Sequence, residues 1–573
     1  MIFSKEAEDR YYVQVNIPCQ YACPVNTNIP AYIRAVYEEQ YGTSYDINAA
    51  VNVLPGVLGR ICSRPCENHC RHGEAELGES VGICHLKRVA ADFRSRGARS
   101  LPPKAPPVGR AVAVVGAGPA GLAVAHDLAT VGFSLTIYEA FDKPGGMLEY
   151  GIPEFRLPRH ILSAEIDSVL SLGVALKTGI RVGEDVSIQQ LLSRFDAVVI
   201  AAGCLAANKL DVPGDSLPGV FAGLDFMIDV CSGSPPSVGK RVLVIGAGFT
   251  AFDCARSALR LGADDVTICL RRTEEDLTVT KEEVHEAKIE GVTINSLMMS
   301  RRILGSDHVE GVEFVRSKPG ERRPDGKRSV TPIEGSEFVL SADTVIVATG
   351  QNAVPIDAPG ETDRYGVLKA YRDTFRSSIP RVYVTGDYLT GPTTVIEAIA
   401  GGRRAAEVVA HDLVGRSFRE SVVQIEEAEI TDRKRTWDFI PHQSMPTVSP
   451  IPARLETATR EVETGYSAEL GADEAKRCYL CYLHYEIDLN HCIYCRYCID
   501  VAPRDCIKMV KEVVTNDDGA IVNLIETTDW YDVHAIVIDN QRCIRCGECV
   551  RVCPVDCISV SKVQLTERLV GEE

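Results

Sequence analysis

From Arg110 to about Gly415, short unbroken apolar runs alternate with Gly-rich turns and amphipathic stretches. The runs A-V-A-V-V (111–115), L-T-I-Y (135–138), R-V-L-V-I (241–245) and T-V-I-V-A (344–348) are too short for helices and rich in β-branched residues. Such runs read as buried parallel strands, each followed by a helix. Residues 1–97 instead carry helical periodicity, with cysteines at the turns. The Pro-rich strip S-L-P-P-K-A-P-P-V-G at 100–109 reads as a linker. Residues 416–475 are polar, Pro-punctuated and aperiodic, so a second connector is expected there. The last hundred residues are cysteine-rich, with short strands expected around 510–540. The fold class is therefore α/β multidomain: a helical N-terminal domain, two nested Rossmann-like dinucleotide domains and a small α+β C-terminal domain. The expected boundaries are 1–99, 110–235, 236–342, 343–415 (a return to the first dinucleotide domain, beginning at D-T-V-I-V-A-T-G with Gly350), 416–475 and 476–573.

Two nucleotide fingerprints lie in the α/β stretch. In the first, a strand runs into Gly116, Gly118 and Gly121, with Pro119 and Ala120 opening a helix whose N-terminus can face a pyrophosphate. The next strand ends at Glu139, where a carboxylate can accept hydrogen bonds from ribose hydroxyls, and K-P-G-G-M-L follows with Gly145, Gly146 and Met147. In the second, Gly246 and Gly248 precede Phe249 and Thr250, and Ala251 stands for the third glycine. Its following strand ends in Arg271 and Arg272 rather than an acid, which favours the 2′-phosphate of NADP over NAD; two arginines merely bordering a surface loop is the plainer alternative. A second unit nested in the first suggests a two-dinucleotide flavoprotein. Gly386 and Asp387, after a strand and before the helix beginning near Thr394, match a flavin ribityl and phosphate site, although Asp387 also suits a plain helix cap. No Cys-x-x-x-x-Cys follows Glu139, and Cys254 has no near partner, so no dithiol stands ready to take electrons from a flavin.

The net charge of −18 argues against nucleic acid, and no apolar run is long enough to span a bilayer. The acidic start M-I-F-S-K-E-A-E-D-R lacks the features of a signal peptide, so a cytoplasmic location is expected. In that reducing compartment the 21 cysteines do not form a disulfide framework. Six fall between Cys19 and Cys84 and eleven between Cys478 and Cys557, whereas Cys204, Cys231, Cys254 and Cys269 are scattered and read as structural. Cys492, Cys495 and Cys498, then Cys543, Cys546, Cys549 and Cys553-Pro554, repeat the spacing of a bacterial two-cluster [4Fe–4S] ferredoxin, in which each run's fourth cysteine serves the other cluster. The first run has Ala502 at its fourth place. The expected sets are therefore Cys492, Cys495, Cys498 and Cys553, and Cys543, Cys546, Cys549 and Cys506, with Cys557 left over as structural.

P-C-Q-Y-A-C-P with Cys19 and Cys23, G-R-I-C-S-R-P-C-E-N-H-C with Cys62, Cys66 and Cys70, G-A-G-P-A-G, Y-G-I-P-E-F-R-L-P (150–158) and G-A-G-F-T-A-F-D-C-A-R with the paired arginines together resemble the glutamate synthase small-subunit family, to which the N-terminal part of dihydropyrimidine dehydrogenase belongs. The resemblance covers roughly residues 15–415. It implies FAD in the first unit, NADPH (or NADH) in the second, and two [4Fe–4S] clusters in the helical domain. One cluster maps to Cys23, Cys62 and Cys66, with Cys84 as the candidate fourth ligand. The other maps to Cys19 and Cys70, but the upstream R-C-x-x-C that completes it in the family is missing. E-A-K-R-C-Y-L-C, with Cys478 and Cys481, looks like that piece relocated, so a cluster spanning both ends of the chain is expected; the alternatives leave these two thiols to the ferredoxin-like domain or without metal.

The expected protein is an NAD(P)H-dependent FAD iron–sulfur oxidoreductase in which hydride from NADPH reaches the flavin and single electrons leave through four clusters to or from ferredoxin. The rival expectation is a wiring subunit with no complete reaction of its own, belonging to a complex of glutamate synthase or 2-oxoacid:ferredoxin oxidoreductase type. No acid, base or nucleophile is assigned a catalytic role.

Overall fold

The computed structural model describes residues 10–73, 78–94, 105–322, 328–515 and 521–570. The acidic start (residues 1–9) and the first part of the Pro-rich strip (100–104) lie outside them. The chain forms two compact units. One comprises residues 1–100, 416–445 and 465–573, and the other 101–415 with 446–464.

The 101–415 unit holds two five-stranded parallel sheets. The first has the order Val382–Val384, Ala197–Ile200, Ala111–Val115, Ser134–Tyr138, Ala175–Lys177. Its central strand is wholly apolar because helices cover both faces. The second sheet has the order Val220–Ala222, Thr344–Ala348, Arg241–Gly246, Asp265–Cys269, Thr293–Asn295, followed by a three-stranded antiparallel sheet over Met298–Ser341. Thr344–Ala348 thus pairs with the second fingerprint strand, Val345 opposite Leu243, and does not return to the first sheet. This corrects the expected boundary at 343: a fully buried strand reads the same whichever sheet it joins. The return follows, where Gln351–Asn352 pairs with Ala206–Ala207 and Gly350 accepts from the Asn208 N–H. The long helix Val395–Val414 starts in a capping box between Thr394 and Glu397 and ends at Gly415 in the left-handed region. Below the second sheet, Glu290 is buried against Arg256 and Arg260. Burial pushes its carboxyl up, but the hydrogen bonds from the two guanidinium groups outweigh this and hold it at about 2.

In the other unit the two ends of the chain share one core. Val13, Ile17, Tyr32, Ile33 and Leu86 from the N-terminal helices pack in the same cluster as Tyr482, Tyr485, Ile544 and Val560. The helix Ile29–Tyr37 shows why: Asn28 caps it, and Ile29, Tyr32, Ile33 and Val36 form one buried stripe. Hydrogen bonds cross between the ends, from Gln20 to the Leu565 carbonyl (2.8 Å) and between Tyr12 and His484 (2.6 Å). Fully buried Glu474 accepts from the Gly82 N–H, the Gln443 N–H and Arg477. The stretch expected as a connector is also structured. Arg419–Glu427 pairs along its whole length with Ile558–Leu569, which continues to Leu483–Ile487. Its polar composition reflects a half-exposed edge strand, whose partner lies far along the chain. The remaining sheet has the order Ile521–Glu526, Ile507–Thr515, Ala535–Ile538.

Candidate flavin, nucleotide and thiol sites

The 101–415 unit contains a cavity of about 390 Å³, within the range of cofactor pockets. Gly116, Gly118, Pro119, Ala120, Glu139, Gly146, Met147, Asp387 and Thr394 all line it. The glycines make the cradle. A Cβ at Gly116 would lie 2.5 Å from the Ala201 carbonyl oxygen, and one at Gly121 would lie 2.0 Å from that of Gly116. Gly121 therefore packs beneath the turn rather than facing the cavity. A Cβ at Gly146 (φ +56°) would lie 2.9 Å from the Gly118 Cα, and Gly145 and Gly386 also have positive φ. Gly145, Gly350 and Gly386 shape the surrounding backbone without lining the cavity.

Glu139 is buried, and its two oxygens accept from the backbone N–H groups of Ala117 (2.7 Å) and Phe141 (2.9 Å). Together the two oxygens keep acceptor capacity for a further donor. Burial pushes its carboxyl up, opposed by these N–H groups. Asp387 does not cap the long helix, a role taken by Thr394. Its carboxylate instead accepts from the N–H and hydroxyl of Thr393, fixing the loop on the cavity wall. The Cys204 thiol also lines the cavity, donates to the Asp387 carbonyl (3.2 Å) and is pushed up to about 12 by burial. A cavity walled by close-approach backbone, a buried carboxylate and a helix N-terminus fits a dinucleotide such as FAD.

At the second fingerprint, a Cβ on Gly246 would meet the Ala348 carbonyl oxygen at 2.3 Å, and Gly248 precedes the helix Phe249–Arg260, with Phe249 and Thr250 in its first turn. Arg271 is exposed and Arg272 half-buried just past the second strand. Arg272 donates from Nε to the Arg328 carbonyl (2.8 Å) and, among the described residues, forms no ion pair. Its remaining guanidinium donors suit a phosphate.

The thiols form four groups in the other unit. Among the described residues, no three His, Cys, Asp or Glu side chains close on one point as the ligands of a single ion do. The sulfurs ring small cavities or touch in chains instead. In the first group, Cys84 is in hydrogen-bonding contact with Cys62 and Cys66, and Cys23 lies within charge-coupling range of Cys66. The contact with Cys84 and burial raise the Cys62 thiol. In the second, Cys19, Cys70, Cys478 and Cys481 line one cavity of about 20 Å³. Burial and the neighbouring sulfurs raise Cys19. In the third, Cys506 touches Cys543 and couples to Cys549 and Cys546. The hydrogen bond with Cys506 lowers Cys543 to about 6 against the effect of its burial. In the fourth, Cys492, Cys495, Cys498 and Cys553 line a cavity together with Cys557. Cys557 was expected to be structural, yet its sulfur is 3.5 Å from that of Cys553, and its N–H donates to the Cys553 sulfur (3.4 Å). The available signal was internal: Cys557 holds the same place after Pro554 that Cys506 holds after Pro503.

These groups follow one another through space. Tyr32, fully buried, feels the charge of Cys66 and Cys84 from the first group and of Cys19 from the second. Arg433 couples to Cys478 and Cys546, and Arg545 to Cys481 and Cys543. Cys549 couples to Cys498. Among the described residues, no helix is long and apolar enough to cross a membrane.

Comparison with known proteins agrees with these geometries. Residues 110–402 match the pyridine nucleotide-disulphide oxidoreductase family, 4–98 match dihydropyrimidine dehydrogenase domain II (4Fe-4S cluster), and 491–557 match the 4Fe-4S dicluster domain. The chain is 36% identical over 507 residues to the beta subunit of the NADP(+)-dependent formate dehydrogenase of Moorella thermoacetica, covering 82% of this chain and 71% of that one. It is 35% identical to the beta subunit of the NADPH-Fe(3+) oxidoreductase of Geobacter sulfurreducens, covering 82% and 76%. It is 32% identical to the glutamate synthase [NADPH] small chain of Escherichia coli K12, covering 70% and 90%. The resemblance to the small-subunit group therefore holds beyond the fingerprints, and the chain belongs to the pyridine nucleotide-disulphide oxidoreductase family as an NAD(P)H-dependent flavin and iron–sulfur oxidoreductase.

Proposed function

We propose that this chain takes electrons from NADPH in the cytoplasm and passes them, through FAD and four [4Fe–4S] clusters, to ferredoxin or to a partner subunit. When bound, a flavin here would take the electron pair of a hydride and give electrons up singly, and clusters held by the cysteines would carry them one at a time. The chain's residues supply placement. Gly116, Gly118 and Gly146 let the backbone approach a pyrophosphate, Glu139 orients a ribose, and the Asp387–Thr394 loop borders the ribityl side. Arg272, with Arg271 beside it, favours the 2′-phosphate of NADPH. The ligand sets are Cys23, Cys62, Cys66 and Cys84; Cys19, Cys70, Cys478 and Cys481; Cys506, Cys543, Cys546 and Cys549; and Cys492, Cys495, Cys498 and Cys553, with Cys557 adjoining the last.

The observation that carries this reading is the second set: sulfurs from the two ends of the chain line one cavity, with no dithiol beside the fingerprint strand to serve another route. Thiols ranged around cavities suit a polynuclear cluster better than a single zinc. The test is anaerobic titration of purified protein with NADPH or NADH, followed by EPR. The reading expects NADPH to bleach the flavin and produce reduced-cluster signals. Flavin bleaching without any cluster signal overturns it.

The relatives are named as beta subunits or a small chain of larger enzymes, which favours the wiring-subunit form of this function. Steady-state reduction of ferredoxin by the isolated chain separates the forms: fast turnover supports the stand-alone enzyme, and none supports the subunit.

A further inference from the structure

Two arginines in the thiol unit lie where a cation is costly. Arg433 and Arg545 both have fully buried side chains, at 0% exposure. Burying a guanidinium without a compensating anion is expensive, and a buried donor with no acceptor adds to the cost. Arg545 gives Nε to the Leu483 carbonyl (3.3 Å) and Nη1 to the Cys543 carbonyl, while its Nη2 is buried without a hydrogen-bond partner. Among the described residues it has no carboxylate at ion-pair distance. Arg433 gives Nε to the Cys478 carbonyl (3.2 Å) and Nη1 to the Ile544 carbonyl (3.0 Å), with its guanidinium 4.8 Å above the Tyr479 ring. Its Nη2 is also buried without a hydrogen bond, and its nearest carboxylate, Asp438 at 3.8 Å, is closely engaged by Arg504 (2.6 Å) and the Tyr479 hydroxyl (2.7 Å).

What surrounds these cations is sulfur. Arg433 bonds to the backbone of a thiol from the second group and to Ile544, which lies between two thiols of the third. Arg545 sits between Cys543 and Cys546 in sequence, its own N–H donates to the Cys543 sulfur (3.4 Å), and Cys481 is the sulfur that most strongly raises its basicity. Both arginines thus stand between the second and third thiol groups. A tetrathiolate [4Fe–4S] cluster is net negative in both redox states, and nearby charge and hydrogen bonds to sulfur set its potential.

We propose that Arg433 and Arg545 are the counter-charges of the two clusters they stand between, and that they raise the reduction potentials of both. The inference rests on the ligand sets proposed above. The guanidinium groups stay protonated throughout, so reduction of either cluster takes up one electron and no proton. Coulomb's law at an effective dielectric of about 20 makes one such charge worth about tenfold or more in the reduction equilibrium, which is about 59 mV for a one-electron couple.

The test is an EPR-monitored redox titration with dithionite and mediators on the intact protein, with iron and acid-labile sulfide counted alongside. Wild-type protein comes first. Without iron in these groups, the ligand reading itself fails. With iron present, Arg545→Met and Arg433→Met should each retain their clusters while two of the four potentials fall by about 59 mV, the tenfold shift in the reduction equilibrium. Unmoved potentials with full iron content overturn the inference and leave the ligand reading standing. Should Arg545→Met lose iron, Arg545→Lys decides. A lysine that restores iron and a near-wild-type potential supports the charge, whereas iron loss with lysine as well contradicts it.

Discussion

In the 101–415 unit, the glycine turn and strand end of each proposed nucleotide site come from one short stretch, Gly116 to Glu139 in one and Gly246 to Arg272 in the other, although Asp387 and Thr394 join the first cavity from further along the chain. In the thiol unit, Cys19 and Cys481 line the same cavity from opposite ends of the chain. The first kind of site is made by backbone conformation, and glycine is its working part, since a carbonyl oxygen occupies the place of the missing Cβ. The second kind is made by closure of the whole unit, and its working parts are side chains that meet only once the shared core has formed. Damage to the first should therefore be local and steric. Damage to the second should report on how the chain ends come together.

Three substitutions press on this contrast, from the largest effect to the smallest. Gly121→Leu should abolish flavin retention, because its Cβ would lie 2.0 Å from the Gly116 carbonyl oxygen and the turn has no slack. Flavin absorbance of the purified variant measures this, and the cluster signals should survive. Retained flavin would show that the turn relaxes. Arg272→Glu should raise KM for NADPH by roughly tenfold to a hundredfold while leaving NADH within about twofold, the cost of replacing a charge-assisted phosphate contact with repulsion. Assay with an artificial acceptor keeps this independent of the clusters. An equal change for both nucleotides would remove Arg272 from the phosphate site.

The third is Glu290→Gln, which should destabilise the 101–415 unit by about 3 kcal/mol near neutral pH, as expected when a buried pair loses one partner. The pH dependence carries a sign. The folded-state carboxyl lies at about 2 against an ordinary 4.5, so its contribution is present in full above 4.5 and is lost as pH falls toward 2. The gap between wild type and variant in thermal melts should close over that window. Glu474, held low despite burial by His442 and Arg477, should show the same direction in the thiol unit.

Much of this architecture was legible in the sequence because its causes are local. Gly116, Gly121 and Gly246 are required by close backbone approach, and repeated Cys-x-x-Cys spacing reflects a fixed cluster geometry. Where causes are nonlocal, the text was ambiguous. Thr344–Ala348 is apolar enough to fit either sheet, and only its register with Val242–Gly246 assigns it. Arg419–Glu427 looks like a polar tether because its partner strand lies some 140 residues further on. The likeness of the two cysteine runs makes Cys557 the counterpart of Cys506, but only the fold shows its sulfur beside that of Cys553. Arg433 and Arg545 carry no sequence signal, since an arginine in a polar or cysteine-rich tract looks like surface until its burial is seen.

The central claim is that thiols from both ends of the chain close a single cluster. Replacing Cys478 and Cys481 together with serine, then counting iron and recording EPR of the reduced protein, tests it most directly. The account predicts about sixteen irons per chain falling to about twelve, with one cluster signal lost and the flavin and the two ferredoxin-type signals retained. An unchanged iron count with all signals intact would contradict it.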